Sequence, residues 1–127
     1  MAIDKSMKVL VIDDFSTMRR ITKSILKQLG FTNIIEADDG KSGLQILKTD
    51  AIGIIIADLN MPEMNGLELL KTIRADDTLK DLPFLIVTTV AQQENISEAL
   101  ACSMKDYIVK PFTVENLKQK IDQAFDR

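Results

Sequence analysis

Short apolar runs that end in a polar residue recur along the chain. They alternate with segments whose apolar residues repeat every three or four positions. The runs predict strands and the intervening segments predict amphipathic helices. The longest run, residues 51–57, leads directly into Asp58, and Pro62 and Gly66 break any continuation. It therefore predicts a strand that is buried on both faces, with Asp58 at its carboxyl end.

The whole pattern predicts five strands and five helices in strict alternation. The predicted strands are residues 8–13, 33–37, 53–58, 83–88 and 106–109, and the helices lie near residues 18–29, 40–49, 66–74, 94–101 and 114–125. Strands that alternate with helices indicate an α/β fold whose sheet is parallel and whose crossovers are right-handed.

The helix ends carry recognisable signals. Gly30 is expected to close the first helix, Asp39 to cap the second and Thr113 to cap the last. The inward-facing stripe of the first helix is predicted to contain Met18, Ile21, Ile25 and Leu29.

Size and composition exclude several classes of protein. The 127 residues suffice for one domain, and no apolar run is long enough to cross a bilayer. A single cysteine, Cys102, excludes an internal disulfide and a thiolate metal cage. The net charge of -3, without a long basic run, does not indicate nucleic-acid binding. We therefore expect a cytoplasmic protein with no membrane insertion and no nucleic-acid partner.

Candidate chemistry collects where four of the predicted strands end, at Asp13 with Asp14, Asp58, Thr88 and Lys110. The carboxyl ends of parallel strands meet at one edge of a sheet, where ligands bind in open α/β folds. Each residue has a structural explanation when it is taken alone: Asp14 or Thr88 could cap a helix, and Lys110 could be a solvated charge. Structural need does not explain why all of them share one edge.

Carboxylates that lie about 4 Å apart repel by roughly 4 kcal/mol at an effective dielectric near 20, and a divalent cation relieves this repulsion. The chain has no histidine, and oxygen ligands alone favour Mg²⁺. Beside such a metal, the Asp58 carboxylate could attack phosphorus and form an aspartyl phosphate. Lys110 and the Thr88 hydroxyl could then stabilise the phosphoryl oxygens.

These residues and their spacing resemble bacterial response-regulator receiver domains. The resemblance covers nearly the whole chain and is closest to the single-domain regulators of chemotaxis. The motifs that carry it are Asp13-Asp14-Phe-Ser-Thr-Met-Arg-Arg20, Asp58 with Asn60-Met61-Pro62, Gly66 to Asp76, Thr88, and Tyr107 with Val109-Lys-Pro-Phe-Thr113. It implies a flavodoxin-like (βα)5 fold: a doubly wound parallel five-stranded sheet in the order 2-1-3-4-5, with helices on both faces. Residues 1–127 would form one receiver domain, with residues 1–7 as a short N-terminal extension and no output domain.

The resemblance also implies roles for individual residues. Asp58 would be the phosphoacceptor, Thr88 and Lys110 would hold the phosphoryl group, and Thr88 and Tyr107 would form the switch. Mg²⁺ would be held by the side chains of Asp14 and Asp58, by the carbonyl of Asn60, and through water by Asp13. The peptide bond between Lys110 and Pro111 would be cis. The protein would not be an enzyme beyond its own phosphotransfer and autodephosphorylation.

The implied output is a change of surface on the fourth helix, fifth strand and fifth helix. This partner surface would contain Ala91, Ile96, Leu100, Tyr107, Val109, Phe112 and Lys120. The expected partners of the monomer are a histidine kinase similar to CheA, the flagellar motor switch protein and a phosphatase. Several positions depart from the chemotaxis pattern, namely Leu59, Thr89, Val90, Gln92, Gln93 and Ser103. An alternative within the family is therefore a phosphate sink, a phosphorelay intermediate, or a regulator of a chemotaxis-like pathway that does not bind the motor.

Two alternatives come from other classes. A flavodoxin-like nucleotide or flavin binder would need a phosphate loop after the first strand, where Asp13 and Asp14 would instead repel a phosphate. A Mg²⁺-dependent phosphatase would place an acid two residues after the Asp58 nucleophile, and this chain has Asn60 there. Turnover of added phosphomonoesters would identify such an enzyme.

Overall fold

The structure is a computed structural model that describes residues 4–59, 61, 64–88, 106–110 and 112–125. These residues form five strands and four helices. The strands are β1 (Lys8–Ile12), β2 (Asn33–Ala37), β3 (Ile52–Asp58), β4 (Phe84–Thr88) and β5 (Asp106–Val109), and the helices are α1 (Ser16–Gln28), α2 (Gly40–Thr49), α3 (Gly66–Arg74) and α4 (Val114–Phe125). Helix α4 is the fifth helix predicted from the sequence. The predicted fourth helix, near residues 94–101, lies outside the described residues.

The five strands form one parallel sheet in the order β2-β1-β3-β4-β5. Strand β3 is the middle strand, and its residues 54–58 are buried. The predicted order and the predicted burial of this strand on both faces are confirmed. The sheet has the flavodoxin-like topology, in which the direction of winding reverses between β1 and β3.

Neighbouring residues along each strand point to opposite faces of the sheet, and this separates two apolar cores. In β1, Leu10 and Ile12 belong to one core, whereas Val9 and Val11 belong to the other. Helices α2 and α3 cover the first core through residues such as Leu47, Leu69 and Leu70. Helices α1 and α4 cover the second core with Ile25, Leu26, Leu117 and Ile121. The predicted placement of helices on both faces is confirmed.

The prediction for the inward stripe of α1 was wrong at one position. Ile21 is 44% exposed, and the buried residues of α1 are Thr22, Ile25 and Leu26. Positions 22, 25 and 26 therefore define the buried face of α1, and this face includes the side chain of Thr22. The end of α1 follows the prediction. Gly30 has a φ of 102°, its amide donates to Lys27, and the next amide donates to Leu26, which is the Schellman arrangement.

Side-chain caps fix the starts of the other helices. The Asp39 carboxylate accepts a hydrogen bond from the Ser42 amide at 2.7 Å, and this hydrogen bond lowers the pKa of Asp39. Thr113 accepts from the Asn116 amide at the start of α4. Both caps were predicted. None of the helices in the described part of the chain combines the length and apolar character needed to span a membrane.

Candidate functional site

The register of the sheet brings the acidic residues together. Ile12 pairs with Ala57 across β1 and β3, so the next residues, Asp13 and Asp58, lie side by side at the carboxyl edge. Oxygen atoms of Asp13, Asp14 and Asp58 all lie within 4.8 Å of one another. Asp13 and Asp58 are only 4% and 6% exposed, whereas Asp14 is exposed. The structure therefore brings together the three predicted carboxylates in a cluster that opens to solvent at Asp14.

Lys110 reaches this cluster from the end of β5. Its Nζ lies 3.3 Å from Oδ2 of Asp13 and 3.3 Å from Oδ2 of Asp58. The Lys110 side chain is 14% exposed, so both ion pairs are largely shielded from water. Its amide also donates to the carbonyl of Thr88 at 2.7 Å, which ties the end of β5 to the end of β4. Lys110 is thus a structural part of the site and more than a solvated charge.

Asp13 is held on several sides. Its amide donates to the Ala37 carbonyl at 3.1 Å, and its Oδ1 accepts from the Phe15 amide at 2.9 Å. With Lys110 on Oδ2, each carboxylate oxygen of Asp13 has a donor. Phe15 is the N-cap residue of α1, and no side chain in the described part of the chain caps this helix. The structural alternative in which Asp14 caps the first helix is therefore wrong.

The predicted switch residues lie on the β4–β5 side of the site. Thr88 is fully buried at the end of β4. Tyr107 is half-buried on β5, packs against the core that α2 and α3 cover, and has the Lys120 ammonium 5.6 Å from its ring centroid. Val109 and Phe112 are half-buried nearby. Four residues of the predicted partner surface therefore remain partly accessible on β5, on α4 and on the connection between them, namely Tyr107, Val109, Phe112 and Lys120.

The backbone after Asp58 packs tightly against the start of α3. The Leu59 amide donates to Val87 at 2.8 Å, and the Gly66 amide donates to the Leu59 carbonyl at 3.0 Å. A Cβ atom at position 66 would lie 2.5 Å from the Asp58 carbonyl oxygen. Asn65 and Glu68 form a reciprocal capping box that fixes this helix start. Gly66 is therefore needed for the close approach of α3 to the acidic site.

We expect Gly66→Ala to destabilise the protein by about 1–3 kcal/mol, because the added methyl group overpacks a backbone contact. Helix propensity alone favours alanine and predicts the opposite sign. Urea unfolding measures the difference, and Thr72→Ala, at an exposed position of the same helix, is the control. A Gly66→Ala protein that is more stable than the wild type would show that the close contact between position 66 and the Asp58 carbonyl does not determine stability.

Several predicted residues lie outside the described residues. They are Asn60, Pro111 with its preceding peptide bond, and the partner-surface residues Ala91, Ile96 and Leu100. Arg19 has no predicted role, yet its guanidinium donates to the carbonyl oxygen of Asp13. A contact to the main chain leaves no signal in residue type or spacing, so the sequence pattern could not identify it.

Three carboxylates and one ammonium give the cluster a formal charge of -2. Its described ligand atoms are all oxygens, within 4.8 Å of one another. Hard divalent cations such as Mg²⁺ prefer carboxylate oxygens, and a charge of +2 would balance this cluster. The residues therefore fit a Mg²⁺ ion.

Comparison with known proteins agrees with this geometry. Residues 9–122 match the family model of the response regulator receiver domain. The chain is 51% identical to chemotaxis protein CheY-3 of Vibrio cholerae serotype O1, over 98% of this chain and 96% of that protein. It is 50% identical to chemotaxis protein CheY of Pseudomonas aeruginosa, over 95% of this chain and 98% of that protein.

Solved structures give the same result. Chemotaxis response regulator CheY4 of Vibrio cholerae superposes with a TM-score of 0.85 at 31% identity, covering 94% of this chain and 99% of that chain. Both the family match and the identities extend over nearly the full length. This protein belongs to the response regulator receiver domain family, whose members are signalling proteins of two-component systems.

Proposed function

We propose that this protein accepts a phosphoryl group on Asp58 from the phosphohistidine of a histidine kinase and signals by a changed surface on β5 and α4. The main support is the position of Asp58 on the middle strand. Two further carboxylates lie on its β1 side, and Thr88 and Lys110 lie on its β4 and β5 side. The cytoplasmic chemotaxis pathway is the proposed setting, because two proteins that are at least 50% identical are chemotaxis proteins.

Mg²⁺ is the proposed cofactor, held by Asp14 and Asp58, with Asp13 acting through water and Asn60 through its carbonyl. When bound, the ion neutralises charge on the cluster and on the transferring phosphoryl group. Asp13 suits an indirect role because both of its carboxylate oxygens already accept hydrogen bonds, from Phe15 and Lys110. Asp14 is the exposed member of the cluster and suits a direct contact.

In the proposed transfer, an oxygen of Asp58 attacks phosphorus and forms an O–P bond. The P–N bond of the phosphohistidine breaks, and its electron pair returns to the imidazole. The Lys110 ammonium, 3.3 Å from Oδ2 of Asp58, is placed to attract the phosphoryl oxygens as negative charge accumulates there. The Thr88 hydroxyl is proposed to donate to a remaining phosphoryl oxygen and so to report the modification to the neighbouring strand.

Mg²⁺ binding should stabilise the fold by mass action. At a free Mg²⁺ concentration 100 times the Kd, the free energy of unfolding should rise by about 2.7 kcal/mol. Thermal melting across a Mg²⁺ titration, with NaCl of matched ionic strength as the control, measures this change. Asp14→Asn should reduce the response. A melting temperature that stays constant up to millimolar Mg²⁺ would argue against the metal site.

The proposed signal is a shift between two conformations. Phosphorylation can favour one of them only by interacting differently with the two. Tyr107 is placed to take part, because it is half-buried and lies between the core and the Lys120 ammonium. Thr88 pairs with Val109 and Ile86 pairs with Tyr107 across β4 and β5. A displacement of Thr88 would therefore act on a strand whose residues Tyr107 and Val109 are partly exposed.

Binding to the N-terminal segment of the flagellar motor switch protein tests the output. Beryllofluoride, which stands in for the phosphoryl group, should raise the affinity in the presence of Mg²⁺ by about tenfold, equivalent to about 1.4 kcal/mol. Asp58→Asn is the control that should show no increase. If the beryllofluoride complex forms and the segment does not bind, the motor output is wrong, and a phosphate sink, relay or separate pathway becomes the better assignment.

A further inference from the structure

The carbonyl group of Asp13 has its own hydrogen-bond partner, separate from the partners of its amide and its carboxylate. The Asp13 amide is bound by Ala37, and the carboxylate oxygens by Phe15 and Lys110. The carbonyl oxygen accepts a hydrogen bond from the Arg19 guanidinium, six residues further along the chain. Arg19 therefore completes the restraint of the residue that begins the acidic cluster.

Arg19 is itself oriented by charge. Its side chain is 19% exposed, and its Nε lies 3.5 Å from Oε1 of Glu36 on β2. This Nε is buried and has no hydrogen-bond partner among the residues that the structure describes, so its contact with Glu36 is an ion pair without hydrogen-bond geometry. Lys23 binds the other carboxylate oxygen of Glu36 at 3.2 Å. The guanidinium thus connects α1 to Asp13, the residue after β1, and to Glu36 on β2.

The carbonyl that Arg19 holds belongs to the same planar peptide unit as the amide of Asp14. Fixing that plane limits the direction in which the chain continues to Asp14. No hydrogen bond from the described part of the chain restrains the exposed Asp14 carboxylate, so its direction depends on the backbone. An interaction at the Asp13 carbonyl can therefore influence where the Asp14 carboxylate points.

We propose that Arg19, braced by Glu36, is a positioning residue that holds the peptide between Asp13 and Asp14 and so aims the Asp14 carboxylate into the phosphorylation site. The inference rests on the proposed function, because it assigns Arg19 to the same metal and phosphoryl site. A lysine could not replace it, since one ammonium lacks the planar fork that contacts a carbonyl and a carboxylate together. Arg19 acts through Asp13 and is not expected to touch the phosphoryl group.

The neighbouring arginine provides a matched control. Arg20 lies on the same helix and is exposed, so Arg20→Met removes the same charge without removing the contact to Asp13. Isothermal titration calorimetry of the unphosphorylated protein should give a Mg²⁺ Kd about tenfold weaker for Arg19→Met, which is typical when a residue that orients metal ligands is lost. Arg20→Met should bind Mg²⁺ as the wild type does.

A second readout does not depend on the metal. In metal-free protein, the NMR chemical shift of the Asp14 amide should move in Arg19→Met and stay unchanged in Arg20→Met. Glu36→Gln should weaken Mg²⁺ binding in the same direction by a smaller factor, and it keeps the test open if Arg19→Met does not fold. Equal Mg²⁺ affinities and equal Asp14 amide shifts for the Arg19→Met and Arg20→Met proteins would overturn the positioning role while leaving the proposed function intact. Absence of Mg²⁺ binding by the wild type would overturn both.

Discussion

Replacing Asp58 by asparagine should abolish covalent phosphorylation and leave the chain folded. Asparagine has an amide in place of the nucleophilic carboxylate, so no acyl phosphate can form at this position. The substitution also removes one of three carboxylates that lie within 4.8 Å of one another. We therefore expect the metal-free variant to be at least as stable as the wild type. Intact-protein mass spectrometry after incubation with a small phosphodonor and Mg²⁺ measures the modification, and urea unfolding measures the stability.

Asp77→Asn is the matched control, because Asp77 is exposed on the connection between α3 and β4, outside the acidic cluster. This variant should gain one phosphoryl group at the wild-type rate. An Asp58→Asn protein that is still phosphorylated at an aspartate with the wild-type rate would show that another carboxylate is the acceptor.

Removing the Lys110 ammonium should have the largest effect on stability. Lys110→Met leaves the carboxylates of Asp13 and Asp58, which are 6% and 8% exposed at their side chains, without the ammonium that lies 3.3 Å from each. Loss of one member of a buried ion pair typically costs about 3–5 kcal/mol. We expect a loss of about 3 kcal/mol in metal-free protein, measured by urea unfolding. Phosphorylation should slow on the order of a hundredfold, because the transferring group loses a fixed positive charge.

The double variant Lys110→Met with Asp58→Asn separates charge from packing. If the cost comes from the buried carboxylates, removing one of them should restore part of the lost stability. Lys118→Met is the surface control, since Lys118 pairs with Asp122 across one exposed helix turn and should matter by only about 0.5 kcal/mol. Equal costs for Lys110→Met and Lys118→Met would contradict the electrostatic account of the site.

The fold was largely predictable because apolar residues follow a different pattern along its strands than along its helices. The runs that end at Ala37, Asp58 and Thr88 have few polar interruptions and became β2, β3 and β4 with nearly the predicted bounds. The error at Ile21 has a physical reason. A spacing of three or four residues is compatible with either of two neighbouring helix faces, and the buried face includes Thr22, whose hydroxyl gives no apolar signal.

The site was predictable to the extent that strand ends determine it. Parallel register places Asp13 beside Asp58 once the strands are known, and the same rule brings Lys110 to the end of β4. The support of the site was harder to predict. Gly66 matters because of one backbone contact at the Asp58 carbonyl, and Arg19 matters because of a carbonyl that every residue possesses. Such main-chain contacts depend on how the elements pack, so no pattern of side-chain types in the sequence identifies them.

Mapping the modified residue tests the central claim most directly. The wild-type protein would be phosphorylated with a small phosphodonor and Mg²⁺, reduced with borohydride, which converts an acyl phosphate into an alcohol, digested, and sequenced by tandem mass spectrometry. We expect homoserine at position 58 and unchanged aspartate at positions 13 and 14, with no conversion when Mg²⁺ is chelated. Homoserine at position 13 or 14 with intact Asp58, or no acyl phosphate in the presence of Mg²⁺, would contradict the central claim.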